Sequence, residues 1–126
     1  MGVELRDLPA PQRFTGSSGI VCAPAWRLPK EIEHKFAIER FVVERMASDF
    51  QASVMDIWEL GGSYFTSTGV TPECVYPFCA QVSADSIDSS ELDFYRLSDL
   101  LEAADQLVDA HLLIVLHRLA HALGEI

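Results

Sequence analysis

Apolar residues between Lys30 and Phe50 recur at helical spacing, at Ile32, Phe36, Ile38, Phe41, Val42 and Met46. That period predicts a helix over residues 30–50, entered just after Pro29, with Glu31, Glu39, Arg40, Glu44 and Arg45 on its solvated face. Residues 54–60 then read as a strand ending at the Gly61-Gly62 pair, with 63–65 continuing beyond a bulge. Residues 74–82 are apolar at nearly every position, the pattern of a strand covered on both faces. Between them lies the loop Thr66-Ser67-Thr68-Gly69-Val70-Thr71-Pro72-Glu73.

The polar run 83–90 reads as an acidic turn region, and 92–97 as a short strand. Ser98 is placed to cap a short helix over 99–104, with Glu102 in its first turn. A last helix over 109–123 follows, with Asp109 in its opening turn and Gly124 as its stop. Upstream, residues 14–28 mix Gly, Ser and Pro24 with Ile20, Val21, Cys22 and Trp26, which predicts one or two short edge strands. Residues 1–13, with Pro9 and Pro11 and no periodicity, read as an extended arm packed loosely on a single domain of residues 14–126. The expected core is Trp58, Leu60, Val75, Phe78, Leu112, Leu116 and Leu119.

Composition adds a constraint on partners. The 126 residues carry 19 Asp and Glu against 9 Lys and Arg, a formal charge of −10, with 49% hydrophobic residues. Such a chain packs as one globule and repels phosphate backbones and anionic lipid at long range, so neither nucleic acid nor membrane is an expected partner. A phosphorylated ligand would need a local basic patch, a helix N-terminus or a bridging divalent cation. Cys22, Cys74 and Cys79 are odd in number and lie in no secreted-scaffold pattern, so reduced thiols in a cytoplasmic protein are the simpler reading. The N-terminal stretch has no apolar signal core, and Arg6 stands where a myristoylation motif has Ser or Thr.

His117 and His121 stand at i and i+4 on the last helix, the spacing of zinc-binding helices, but Arg118 follows the first His where a catalytic glutamate would stand. His111 lies on another part of the helical repeat, so a surface or satisfied pair is the plainer reading. The acidic run 85–93 lacks the central Gly and terminal Glu of a calcium loop. Cys74 and Cys79 sit in an apolar strand, where thiolate formation is suppressed.

The segment Trp58-Glu59-Leu60-Gly61-Gly62-Ser63-Tyr64-Phe65, the Gly69 loop and the strand Val75-Tyr76-Pro77-Phe78-Cys79-Ala80 resemble the second half of a Nudix hydrolase domain of the ADP-ribose or nucleotide-sugar pyrophosphatase kind. The resemblance runs from Trp58 to Leu123, about half the chain. It implies an α/β/α sandwich with a mixed sheet and a closing C-terminal helix. In that family, glutamates one helical turn apart hold Mg²⁺ or Mn²⁺ against a diphosphate so that water can attack phosphorus.

The stretch that matches this signature runs from Glu44 to Ala52, and it departs from the pattern. Glu44-Arg45 replaces Arg-Glu, Ser48 and Asp49 replace the paired glutamates, Gln51 replaces the glycine, and Lys30 and Phe36 fall on the upstream glycine and glutamate. The resemblance therefore implies a catalytically degenerate Nudix-like domain, a pseudoenzyme that needs no cofactor, binding a nucleoside-diphosphate-type ligand or a protein partner. Its ligand contacts would be Tyr64, Gly69 and Glu73. One alternative is a weak Mg²⁺- or Mn²⁺-dependent pyrophosphatase whose catalytic and metal-holding residues are Glu44 and Asp49, helped by Glu39 and Glu73. Another is a self-association or adaptor module, such as a homodimer, built on the last helix.

Overall fold

The computed structural model describes residues 1–7, 19–32, 34–67, 69–70 and 73–126, with the backbone alone for residues 3–7 and 19–20. Gly2–Asp7 (β1) and Gly19–Cys22 (β2) pair antiparallel, Glu4 opposite Cys22. The segment read as a loosely packed arm therefore begins with a strand hydrogen-bonded on both edges, because Asp93–Phe94 (β7) pairs with β1 from the other side. Residues 8–13 of that arm, and residues 14–18 of the next expected strand, lie outside the described residues.

Lys35–Phe50 forms α1, five residues shorter at its start than the apolar period implies. Residues 29–32 instead close a turn, with Ile32 N–H donating to Pro29 O at 3.1 Å. His34 caps the helix by accepting from the Ala37 N–H. Phe36 consequently lies on the outer surface, 75% exposed.

At the other end Gln51 adopts φ 55°, ψ 33°, the left-handed conformation that usually belongs to glycine. Its N–H donates to Ala47 O, the 5→1 bond of a left-handed helix stop, and the Ala52 N–H reaches back to Met46 O at 3.1 Å. Ala52 is thereby carried into the core, fully buried.

Val54–Glu59 (β3) pairs antiparallel with Phe78–Val82 (β6), and Tyr64–Phe65 (β4) with Cys74–Val75 (β5). Glu59 opposes Phe78, whereas Tyr64 opposes Val75, so the first arm carries two more residues than the second between the two ladders. The four strands are thus one long hairpin interrupted by a bulge at Gly61-Gly62, bridged by Leu60 N–H to Pro77 O at 3.0 Å.

The single buried strand expected over 74–82 is two short strands, because Tyr76-Pro77 interrupts it and proline donates no ladder hydrogen bond. Val75 and Phe78 are accordingly half-buried. A second irregularity, between Val54 and Asp56, breaks the inside-outside alternation of β3 and leaves Trp58 41% exposed. Leu60 keeps its place in the core, whereas Leu119 is only half-buried.

The rest is helical: Asp85–Ser89 (α2) in the expected turn region, Leu97–Glu102 (α3), a 3-10 turn at Ala104–Gln106, and Ala110–Ala122 (α4). Ser98 does not cap α3; Arg96 occupies that position and makes no side-chain cap bond. Asp109 is the N-cap of α4, its carboxylate accepting from the Leu112 N–H at 3.2 Å.

Leu112 and Leu116 pack with Leu100 into one apolar cluster, and Met46, Phe50, Ala52 and Leu92 form a second. The architecture is mixed α and β, with small antiparallel sheets and a C-terminal helix. Every ladder among the described residues is antiparallel, where a mixed sheet was expected.

Left-handed backbone costs a side-chain-bearing residue about 1–2 kcal/mol, and glycine returns roughly 0.5–1 of that as unfolded-state entropy. Gln51→Gly should therefore raise unfolding free energy by about 0.5–1 kcal/mol in urea titrations. A loss of stability would contradict the left-handed cap.

Candidate functional site

On α4 the apolar stripe through Leu112 and Leu116 faces the core, while His111 and Arg118 are seven residues apart. Seven residues are nearly two full turns, so these two lie within about 20° of each other around the helix. Arg118 reaches the hairpin bulge. Its Nη1 donates to Leu60 O at 3.2 Å and to Gly62 O, two carbonyls beside the interrupted ladder. Gly61 sits between them at φ +77°, a conformation that favours glycine, and a Cβ there would lie 3.0 Å from Arg118 Nη1, so the guanidinium would have to give by a few tenths of an ångström.

Tyr64, just past the bulge, is held between the two basic side chains. The Arg118 guanidinium carbon lies 5.2 Å from its ring centroid, within cation–π range. Its hydroxyl shares a 2.8 Å hydrogen bond with His111 Nδ1, the two rings tilted at 48°. On the other side of the imidazole, Glu73 Oε1 lies 4.0 Å from His111 Nε2.

Burial pushes the Tyr64 phenol above its ordinary range; nearby Asp109 and Glu73 push the same way, and Arg118 opposes them. Tyr64 therefore keeps its proton and can donate it in a hydrogen bond to Nδ1. The Asp109 carboxylate is occupied by two backbone donors, Leu112 N–H and, from the segment after β2, Ala23 N–H at 3.2 Å. Gly69 takes φ +81° in a turn closed by Val70 N–H to Ser67 O at 3.1 Å, a backbone conformation that favours glycine.

Of the three ligand residues expected from sequence, Tyr64 and Glu73 thus meet on one histidine, and Gly69 shapes the loop joining them. His111 and Arg118 were missed as site residues. Their shared stripe, seven positions apart, was the available signal, but the i,i+4 pair His117 and His121 drew the reading instead. Those two imidazoles are both exposed.

The carboxylates assigned to metal and catalysis fare differently. Glu44 and Asp49 are five residues apart on α1 and so point about 140° away from each other, which prevents them from gripping one cation from the same helical face. Glu44 is exposed. Asp49 is committed elsewhere: it accepts from Trp26 Nε1 at 2.8 Å, from Arg45 Nη2 at 2.6 Å and from Ser48 Oγ at 3.3 Å. Among the described residues, no group of three or more His, Cys, Asp and Glu side chains stands at metal-holding spacing. Cys74 and Cys79 are free thiols, and half-burial raises the Cys79 pKa above its usual range. No helix among the described residues is long and apolar enough to cross a membrane.

No protein-family model, curated protein or solved structure matches this chain.

The Trp26 and Arg45 bonds hold the Asp49 carboxyl below its ordinary value of 3.8. A carboxylate with a depressed folded-state pKa stabilises the fold above its unfolded value, and that contribution is lost as pH falls through the folded one. The stability gap between the native chain and Asp49→Asn should therefore be full near neutrality and shrink as pH drops below 3.8, measured by urea denaturation at each pH. A gap that does not change with pH would show that Asp49 charge contributes nothing.

Proposed function

We propose that this chain is a catalytically degenerate Nudix-like domain that binds a nucleoside-diphosphate-type ligand at the cluster of Tyr64, Glu73, His111 and Arg118 beside the Gly69 turn. The observation that carries the ligand reading is the convergence of Tyr64 and Glu73 on His111, with the Arg118 guanidinium against the same Tyr64 ring. In a chain of charge −10, a half-buried arginine and a histidine on one helical stripe form a local exception to the acidic surface. An aromatic ring between them offers a face for a base, and the basic groups suit phosphate oxygens.

Two further observations support the family part of the proposal. Gln51, which stands at the signature's glycine, takes the left-handed helix-ending conformation that glycine would take there. The loss of hydrolysis is supported by Asp49, whose oxygens are bound to Trp26 and Arg45, and by the divergence of Glu44 from it around the helix. Cytoplasmic residence belongs to the same reading, on the strength of the reduced thiols.

Titration calorimetry with ADP-ribose should give saturable binding, weakened about fivefold by His111→Ala, the loss expected for one ligand hydrogen bond of about 1 kcal/mol. Chromatography of the same mixtures with Mg²⁺ or Mn²⁺ should show intact ligand. Turnover abolished by Glu44→Gln or Asp49→Asn would replace this reading with that of a weak pyrophosphatase.

A second reading, self-association through the hairpin rather than through the last helix, is favoured by Met55, Trp58, Phe65 and Tyr76, large apolar side chains left exposed there. Light scattering across a hundredfold dilution should then show a dimer that dissociates. A mass equal to one chain at every concentration removes it.

A further inference from the structure

Building on that ligand reading, we infer that Glu73 is an internal counter-anion: its carboxylate rests in the seat of the ligand's phosphate on His111 and is displaced when an anion binds. Geometry selects this carboxylate among the acidic groups of the cluster. Asp109 is pinned by two backbone N–H donors, whereas Glu73 is 59% exposed and faces His111 Nε2 at 4.0 Å, beyond hydrogen-bond length. A pair this open and this long holds its carboxylate only weakly, so an incoming phosphate can exchange with it.

The imidazole is oriented for that exchange. Tyr64 engages Nδ1, which fixes the ring and leaves Nε2 as the nitrogen turned outward. If the neutral ring carried its proton on Nδ1, a bare Nε2 lone pair would confront the Glu73 carboxylate. The favourable arrangement has Tyr64 donating to Nδ1 and an N–H on Nε2 directed at the anion. A phosphate oxygen presents the same acceptor chemistry as the carboxylate it replaces, with more charge.

Arg118 lies about 10 Å further along the same stripe of α4, across the Tyr64 ring, and its hydrogen bonds to Leu60 O and Gly62 O both use Nη1. It supplies positive potential while staying tied to the bulge. The seat therefore selects an anionic phosphoryl group over a neutral sugar or a cation, and Glu73 sets how tightly that group is held.

The test uses inorganic pyrophosphate and ADP-ribose as probes, in EDTA at low salt, on the native chain, Glu73→Gln, His111→Ala and the double variant. Removing one like charge at this range should tighten pyrophosphate binding by about three- to tenfold. That gain should vanish in the His111→Ala background, and pyrophosphate should shift the His111 Nε2 resonance in ¹⁵N spectra. Glu73 is exposed, so Glu73→Gln should keep the native circular dichroism.

Unchanged or weaker pyrophosphate binding in Glu73→Gln overturns the inference, and so does a gain that persists without His111. If ADP-ribose binds the native chain and Glu73→Gln equally but His111→Ala more weakly, the inference fails while the ligand reading stands. If neither probe binds any of them, both fall together.

Discussion

The arrangement of this molecule's candidate site depends on one contact, the insertion of the Arg118 guanidinium into the hairpin bulge at Gly61-Gly62. A bulge interrupts a ladder and leaves carbonyl groups without strand partners, and a buried carbonyl without a donor costs about 1–3 kcal/mol. Arg118 satisfies the carbonyl of buried Leu60, bonds the exposed Gly62 O as well, and at the same time lies against the Tyr64 ring. The same side chain thus couples α4 to the hairpin and fixes the direction in which Tyr64 points. Since Leu112 and Leu116 anchor α4 in the core, the register of the hairpin against the helix is set by apolar burial on one face and by a single charged group on another.

That coupling explains why the site falls where it does. Tyr64 reaches His111 because two extra residues in the first arm of the hairpin re-aim the strand after the bulge. Glu73 reaches the same histidine because β4 and β5 pair directly, which brings the two ends of the intervening loop together. None of the contacts between Tyr64, His111 and Glu73 is local in sequence; each requires the hairpin and α4 to be docked first.

The elements were legible wherever local chemistry decides them. The period through Phe41, Val42 and Met46, the strand beginning at Val54, the Asp109 cap and the Gly124 stop all appear close to where the pattern puts them. Boundaries slipped where a single backbone feature overrode the apolar pattern: the turn at residues 29–32, the Pro77 interruption and the shift between Val54 and Asp56. Trp58 was misplaced for that last reason, since an alternation argument fails once one extra residue enters a strand. Tyr64 and Glu73, singled out through the resemblance, do come together on His111. Arg118 was hidden because its role is to satisfy backbone carbonyls that exist only after a bulge forms, and sequence spacing does not reveal those.

The electrostatics of α1 and α4 divide the same way. On α1, Asp49 is neutralised by Arg45 one turn away and by the Trp26 indole, so its charge secures the segment before the helix rather than facing an open cleft. On α4 His111 and Arg118 are held half-buried, and the acidic Glu73 is the loosely attached partner. Under the proposed ligand reading, a site of this polarity would engage an anion directly through nitrogen donors, whereas a carboxylate cage would do so through a metal ion. The two solutions need opposite local charge, and the direct one fits the side chains that the fold brings together around Tyr64.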